Sequence, residues 1–213
     1  EVVDDEKTRV VCVDKVNSDP PEGAYLSAKR YETGENGVER NLRKAFDLYV
    51  RSARDGYDKA QFRLACAYEN GELNLKENYD KAYYWYLEAA NNGNVEAMFI
   101  LAEAYNYEEL DLDEDEDEAF EWYLKAAQNG HVDAQVIVAE AYELENLGVD
   151  EDEEEALEWY LKAAEKGSSS AMVGLGAIYG KGLLNGGEPD FAAAIKWFLK
   201  AAELENEVAL KNL

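Results

Sequence analysis

The chain has 213 residues, enough for one or two domains with a substantial hydrophobic core. Its 47 acidic residues outnumber the 21 basic ones and give a formal net charge of −26, which argues against nucleic acid or an anionic membrane as a partner and favours a basic one. Two cysteines are too few for a disulfide framework, and no apolar run in the sequence approaches the roughly 20 residues of a membrane span.

The first 21 residues contain no repeat. They include the stretch TRVVCVD, which has the composition of a strand but no obvious strand to pair with. We expect residues 1–21 to form a cap on the following structure or to be partly disordered. The sequence begins at Glu1, and we expect a cytoplasmic protein, with a secreted or periplasmic location as the alternative if a leader has been removed.

From residue 22 onward the chain repeats itself. Segments that resemble AFEWYLKAAQNG start 37, 37, 37 and 38 residues apart, and each follows a shorter motif of the LAEAY type. The segments begin at Ala45, Ala82, Ala119, Ala156 and Ala194. Five repeats therefore cover about residues 22–205, and residues 206–213 resemble the start of a sixth repeat or a capping helix.

Each repeat contains two segments with helical periodicity. In the first segment Ala97, Leu101 and Tyr105 recur at i, i+4 and i+8, and in the second the apolar pattern from Ala119 is i, i+3, i+4, i+7. Alanine lets helix axes approach closely, while Trp and Tyr fill the space beside them. Because one helix pair cannot bury its apolar faces alone, we predict an all-α, right-handed solenoid of five stacked helix-turn-helix repeats.

Cap residues mark the ends of the second helix in each repeat. An Asn or Asp stands four residues before each repeated alanine, where its side-chain oxygen can accept a free backbone N–H. These residues are Asn41, Asn78, Asp115, Asp152 and Asp190. A glycine follows most second helices, and we expect it to adopt the left-handed conformation that ends a helix; these glycines are Gly56, Gly93, Gly130 and Gly167.

The combined pattern of LA..Y followed by A..WYLKAA..G resembles the Sel-one-like repeat family, a branch of the tetratricopeptide-like helical solenoids. The resemblance covers about 180 residues. It implies an adaptor that binds other proteins, and it implies that the first helices line a concave surface where such solenoids hold peptides. The cysteine-rich members of the family, with a disulfide in each repeat, do not match this sequence.

Two acidic segments lie at the starts of the third and fourth second helices. Between Glu108 and Glu165 there are 22 acidic residues and two lysines, more than helix capping and the helix dipole require. The segments contain Asp111, Asp113, Glu114, Asp115, Glu116, Asp117, Glu118, Asp150, Glu151, Asp152, Glu153, Glu154 and Glu155. A calcium-binding EF-hand loop is excluded, because Glu118 and Leu124 occupy the positions of its required Gly and Glu. The segments are either a solvated surface or a surface for a basic partner.

The sequence contains no constellation for catalysis. His131, the one histidine, occupies the position of Tyr57, Asn94 and Ser168 in other repeats, so a His-based metal cluster cannot form. The glycine-rich stretch GKGLLNGGEPD lacks the phosphate-loop pattern and indicates only a longer loop in the fifth repeat. We therefore predict that the chain is not an enzyme and holds no cofactor or metal.

A candidate binding surface comes from a second apolar position in each first helix. It lies two residues after the repeated Ala or Gly, about 200° around the helix, where packing within a repeat does not obviously need it. This first-helix stripe consists of Tyr25, Phe62, Phe99, Val136 and Val173. Polar positions four and seven residues further on include Lys29, Glu69, Glu103, Asn106, Glu140 and Glu143.

The hypothesis is that these residues form a groove for an extended or helical segment with apolar anchors and Lys or Arg between them. The alternative is that the stripe packs first helices against each other.

We therefore interpret the chain as a protein–protein interaction module, an adaptor or scaffold that binds a basic or amphipathic segment of another protein. One alternative is an immunity or inhibitor protein that neutralises a basic toxin or effector. A second is an engineered repeat scaffold, although the unequal ends and the divergent first and fifth repeats favour a natural origin. The sequence leaves the oligomeric state open.

Overall fold

The computed structural model describes residues 20–183 and 187–212, which contain eleven helices and no strand. The helices are α1 (Pro21–Thr33), α2 (Leu42–Arg54), α3 (Asp58–Glu69), α4 (Tyr79–Asn91), α5 (Val95–Asn106), α6 (Glu116–Gln128), α7 (Val132–Leu144), α8 (Glu153–Glu165), α9 (Ser169–Lys181), α10 (Phe191–Glu203) and α11 (Glu207–Asn212). The predicted all-α repeat architecture is confirmed for this part of the chain. The strand-like stretch TRVVCVD lies outside the described residues.

The helices stack in sequence order. Each helix packs against its predecessor and its successor along the chain, so that α1, α3, α5, α7 and α9 are the first helices of five pairs and α2, α4, α6, α8 and α10 are the second helices. The first helices of the last two pairs, α7 and α9, also contact each other directly. None of the described helices is long and apolar enough to cross a membrane.

The predicted caps of the second helices are confirmed. The side chain of each predicted Asn or Asp accepts a backbone N–H from the first turn of the helix that follows it. Asp115, for example, accepts from Glu118 at 3.1 Å, and Asp152 accepts from Glu155 at 3.0 Å. Part of each acidic segment is therefore a helix start.

The glycines that follow the second helices have the expected left-handed backbone. Their φ angles are 83° at Gly56, 90° at Gly93, 93° at Gly130 and 90° at Gly167. A side chain is strained at such angles, which explains why glycine recurs with the repeat period. Each glycine turns the chain from a second helix into the first helix of the next repeat.

The core lies between the helix pairs and is built from alanine and aromatic residues. The alanines that open the second helices are fully or almost fully buried, and Tyr49, Tyr86 and Tyr123 are at most 1% exposed. Trp122 is 7% exposed, and the Nζ of Lys125 lies 4.0 Å from its ring centroid. The small side chains bring the helices together, and the rings fill the remaining volume.

Ring contacts also join one repeat to the next. Phe120 in α6 meets Tyr142 in α7 edge to face at 5.6 Å between centroids. The equivalent pairs Phe46–Tyr68 and Tyr83–Tyr105 lie at 6.3 and 6.5 Å. Because the second helix of one repeat is covered by the first helix of the next, the described repeats form one continuous solenoid.

The last helices leave part of this stacking surface uncovered. Helix α11 has only six residues; Asn206 caps it, and Ala209 is its buried residue. Phe191, Ile195 and Leu199 of α10, at i, i+4 and i+8, are exposed. Helix α11 thus begins like a first helix but is half as long as the others.

Candidate functional site

The first-helix stripe lies at one equivalent position in each of α1, α3, α5, α7 and α9. Val136 is 8% exposed, and the other four side chains are half-buried. The side chains therefore share a face of the first helices, but that face is not open along its whole length.

The expectation that packing within a repeat does not need these side chains is wrong. Phe62 meets Tyr86 of the second helix in its own repeat at 5.8 Å between ring centroids. Phe99 meets Tyr123 in the same way at 5.7 Å. The rings of the stripe thus cover the buried tyrosines of the second helices, and only their outer edges remain available to another molecule.

Some of these rings also touch the turn into the next repeat. Tyr25 lies 5.2 Å from Tyr57, and Phe99 stacks on His131 at 4.1 Å with an angle of 12° between the planes. His131 caps α7 through its Nδ1, which accepts from the backbone N–H of Ala134 at 3.2 Å. The histidine is a cap and a packing residue.

Three of the polar groups seven residues beyond the stripe bind buried tyrosine hydroxyls. The hydroxyl of Tyr49 donates to Glu32 at 2.6 Å. The same bond joins Tyr86 to Glu69 at 2.7 Å and Tyr160 to Glu143 at 2.8 Å. Each bond joins the second helix of a repeat to the last turn of its first helix.

The third and fifth repeats lack this pair. In the fifth repeat Phe198 replaces the tyrosine and Gly180 replaces the acid, so neither polar group is present. In the third repeat Tyr123 is retained but Asn106 replaces the acid. Tyr123 is fully buried, and its hydroxyl makes no hydrogen bond to any side chain or backbone group of the described residues.

The side chains four residues after the stripe residues differ in exposure and in their neighbours. Lys29 is exposed. Cys66 is half-buried; its sulfur accepts from the Tyr86 hydroxyl at 3.4 Å, and burial raises the pKa of the thiol, which makes it a poor nucleophile. Glu103 is half-buried and Glu140 is solvent-accessible, and neither makes an ion pair within the described part of the chain.

Both glutamates are poorly stabilised as anions. Burial raises the pKa of Glu103, and the charges of Glu109, Glu96 and Asp133 raise it further. Burial likewise raises the pKa of Glu140, with a contribution from Glu143. Although water reaches Glu140, the surrounding protein limits its hydration.

Glutamates near the ends of the face are paired. Glu32 receives hydrogen bonds from Arg63 and Tyr49, which lower the pKa of Glu32 although burial alone would raise it. Arg63 also contacts Glu72 at 2.7 Å, and Lys181 pairs with Glu143 at 2.8 Å. The carboxylates on the face that make neither an ion pair nor a side-chain hydrogen bond within the described residues are therefore Glu103 of α5 and Glu140 of α7.

The acidic segments lie on the surface next to each other. All of their residues are exposed except Glu153, which is half-buried. A Cβ added at Gly148 would collide with the carboxylate of Asp117, so the loop before α8 contacts the first turn of α6. No group of three or more His, Cys, Asp or Glu residues in the described ranges has the geometry to hold a metal ion.

The negative charge is concentrated in two helix pairs. Residues 95–168 contain 24 acidic residues and three lysines, whereas residues 21–94 contain 12 acidic and 11 basic residues. Residues 169–206 add four acidic and three basic ones. The middle of the solenoid is therefore strongly acidic, and both ends are close to neutral.

Sequence reasoning missed the tyrosine–carboxylate pairs, although a signal for them exists. In each pair the acid precedes the tyrosine by 17 residues. A search for acids at a fixed distance before each buried tyrosine would have found the three pairs and the exception at Asn106.

Two solved structures show the same architecture at comparable similarity. The protein c5321, described as a protective antigen in uropathogenic Escherichia coli strains with an SLR fold, is 28% identical with a TM-score of 0.78. The alignment covers 89% of this chain but only 39% of c5321. A Sel1 repeat protein from Oxalobacter formigenes is 27% identical with a TM-score of 0.71, and the alignment covers 94% of this chain and 80% of that one.

No curated protein sequence matches the chain significantly. The Sel1 repeat model, in contrast, matches five consecutive segments: residues 21–57, 58–94, 95–131, 132–168 and 169–206. These segments coincide with the five helix pairs and include almost all of the described chain. The chain therefore belongs to the Sel1 repeat family, whose members typically mediate protein–protein interactions.

Proposed function

We propose that this chain is a protein-binding module that holds a basic, amphipathic segment of another protein against its first-helix face. The observation that best supports this proposal is the pair of Glu103 and Glu140, which occupy one position of α5 and α7 without a cationic partner in the described chain. Their raised pKa values mean that the protein stabilises these anions poorly. A lysine or arginine from a partner would supply the missing charge.

Apolar side chains stand beside these carboxylates. Tyr107 is 64% exposed and follows Glu103 by four residues, and Leu144 is 59% exposed and follows Glu140 by four residues. Residues four apart lie on the same side of a helix. At the C-terminal ends of α5 and α7 a carboxylate is therefore followed one turn later by an exposed apolar side chain, an arrangement that suits a segment with neighbouring basic and apolar residues.

The stripe residues contribute less to binding than fully exposed aromatic side chains would. Phe62 and Phe99 are partly covered by buried tyrosines, so an alanine at either position would disturb the core as well as the surface. They serve as the floor of the face. The groups that discriminate between partners are the glutamates and the exposed side chains near them.

The acidic segments act at longer range in this proposal. Their exposed charges attract a basic partner before contact and raise its association rate. An inhibitor of a basic toxin would use the same attraction and is the second candidate class; its support is the charge of the middle repeats.

The test is a selection from a library of random displayed peptides, followed by binding measurements on the recovered sequences. We expect the recovered peptides to contain Lys or Arg alternating with apolar residues. The double variant Glu103→Gln/Glu140→Gln should bind them about tenfold or more weakly, because two charge-assisted contacts are lost.

The matched control is Glu121→Gln/Glu158→Gln. These residues belong to the same repeats, carry the same charge and lie on α6 and α8, where they form only exposed pairs with Lys125 and Lys162. This variant should bind almost as well as the wild type. Recovery of neutral or acidic peptides, or equal weakening by both double variants, would contradict the proposed function.

A further inference from the structure

The surface that a second helix presents to the next repeat is uncovered in the fifth repeat. This surface includes the apolar positions one and five residues after the repeated alanine: the first meets a tyrosine ring of the next repeat in three repeats, and the second lies one turn further on the same side. In the first four repeats these side chains are half-buried; they are Phe46, Val50, Tyr83, Leu87, Phe120, Leu124, Leu157 and Leu161. In α10 the same positions hold Ile195 and Leu199, and each is 49% exposed. The interface that joins the repeats therefore continues onto α10 but is not filled there.

Helix α11 is too short to cover this surface. It has six residues, whereas the other first helices have 12 or 13. Four further apolar side chains of α10, α11 and the turn between them are more than half exposed: Phe191, Leu204, Val208 and Leu210. Single exposed apolar residues are common on proteins, but these four together with Ile195 and Leu199 form a C-terminal apolar patch of the kind that marks an interaction surface.

The charge near the C-terminal apolar patch indicates which kind of molecule covers it. Residues 187–212 contain five acidic and three basic residues, whereas residues 95–168 contain 24 acidic and three basic ones. A basic partner is attracted to the acidic middle and not to this end. Two copies of the chain, each with a net charge of −26, repel each other least where their acidic middles stay apart. The C-terminal end meets this condition.

The opposite end of the solenoid does not supply a matching surface. At the position of the buried Leu64, Leu101, Val138 and Leu175 of the later first helices, α1 has Ser27. Leu26 is the one exposed large apolar side chain of α1, a helix that the structure describes in full. Head-to-tail stacking of α10 on α1 of another copy would therefore bury little apolar area. The surface of a second copy that best matches the patch is the patch itself.

We infer that two copies of this chain associate through their C-terminal apolar patches, related by a two-fold axis. Each copy covers the exposed side chains of α10 and α11 of the other, and the contact closes on itself, so assembly stops at a dimer. The acidic middles remain outside the contact. The dimer presents two first-helix faces, but the inference does not depend on what those faces bind.

Sedimentation velocity of the chain over a range of micromolar concentrations, at low and at high sodium chloride, tests the dimer. We expect a reversible equilibrium between monomer and dimer, with no larger species. Added salt should favour the dimer, because it screens the repulsion between two acidic chains and does not weaken apolar contact. Binding of a basic segment has the opposite dependence on salt, so the two interactions are distinguishable.

The variant Ile195→Gln/Leu199→Gln should raise the dissociation constant of the dimer about tenfold or more, since each substitution acts twice at a two-fold interface. The matched control is Leu26→Gln/Tyr84→Gln, which replaces two similarly exposed apolar side chains on α1 and α4. The control should dimerise like the wild type. Circular dichroism at concentrations where the wild type is monomeric should show the same helix content and melting temperature for all three proteins.

The alternatives give different results. A monomer at every concentration and salt overturns the inference and leaves the patch to a different protein. Species that grow beyond a dimer, or equal weakening by the two double variants, would indicate head-to-tail stacking or nonspecific contact instead. Loss of helix content in Ile195→Gln/Leu199→Gln would show that these side chains belong to the core of the single chain. None of these results bears on the proposed function, which Glu103→Gln/Glu140→Gln tests.

Discussion

At the scale of single residues, the tyrosine of the second helix shows how one position is used differently within one chain. Its ring is buried in repeats one to four, and its hydroxyl is bound to a carboxylate in three of them. Burial and the hydrogen-bonded glutamate both raise the pKa of Tyr160 above its ordinary value. The phenol of Tyr160 therefore remains a neutral donor to its glutamate.

Removing the tyrosine hydroxyl should lower the free energy of unfolding by an amount that depends on the repeat. We expect Tyr86→Phe and Tyr160→Phe to lower the free energy of unfolding by about 1.5–3 kcal/mol each, the range for hydrogen bonds to charged groups. Tyr123→Phe should cost nothing. Thermal melting of the three variants measures the difference. A melting temperature lowered equally in all three would mean that the tyrosine hydroxyl of repeat three is satisfied within the protein.

At the scale of helices, the sequence was sufficient where the determinants are local. The helices, their N-caps and the turn glycines follow from residues within one or two turns of each other, and the structure confirms them. The environment of the first-helix stripe was not predictable in the same way. The angle of Phe62 or Phe99 around its helix does not reveal that Tyr86 or Tyr123, 24 residues later in the sequence, covers it.

The acidic segments contain residues that cap helices and residues that cap none. Asp115 caps α6, and Asp113 lies in the loop before it with an exposed side chain. Asp115→Ala should lower the free energy of unfolding by about 1 kcal/mol through loss of the cap. Asp113→Ala removes the same charge without removing a cap, so it should leave the stability unchanged or raise it. Thermal melting of both variants at low salt tests this, and equal destabilisation would contradict it.

At the scale of the whole molecule, fold and charge are distributed differently. All five repeats match the same family model, but the negative charge is confined mainly to residues 95–168. Repulsion between like charges at this density lowers the stability of the folded chain. The structure thus uses one helical architecture in every repeat but a strongly acidic surface in its middle, where Glu103 and Glu140 also lie.

This distribution predicts where electrostatic attraction of a basic partner originates. Neutralising loop acids that are not caps should slow association of a capped octapeptide of alternating leucine and lysine, used as a basic probe, and flatten the dependence of its association rate on salt, because exposed charges are screened beyond about 8 Å at physiological ionic strength. The variant for this test combines Asp113→Asn, Glu114→Gln, Asp150→Asn and Glu151→Gln. The control has the same change in net charge in the first two repeats and combines Glu35→Gln, Glu39→Gln, Glu77→Gln and Asp80→Asn.

Stopped-flow association rates at low and at physiological salt distinguish the two variants. We expect the first to associate several-fold more slowly than the wild type at low salt and the control to remain within about twofold, since its substitutions lie away from the acidic middle. Dissociation should change little in either, because the altered side chains are not contacts. If both variants slow association equally, the attraction depends on the total charge of the chain, and the acidic segments have no special part in it.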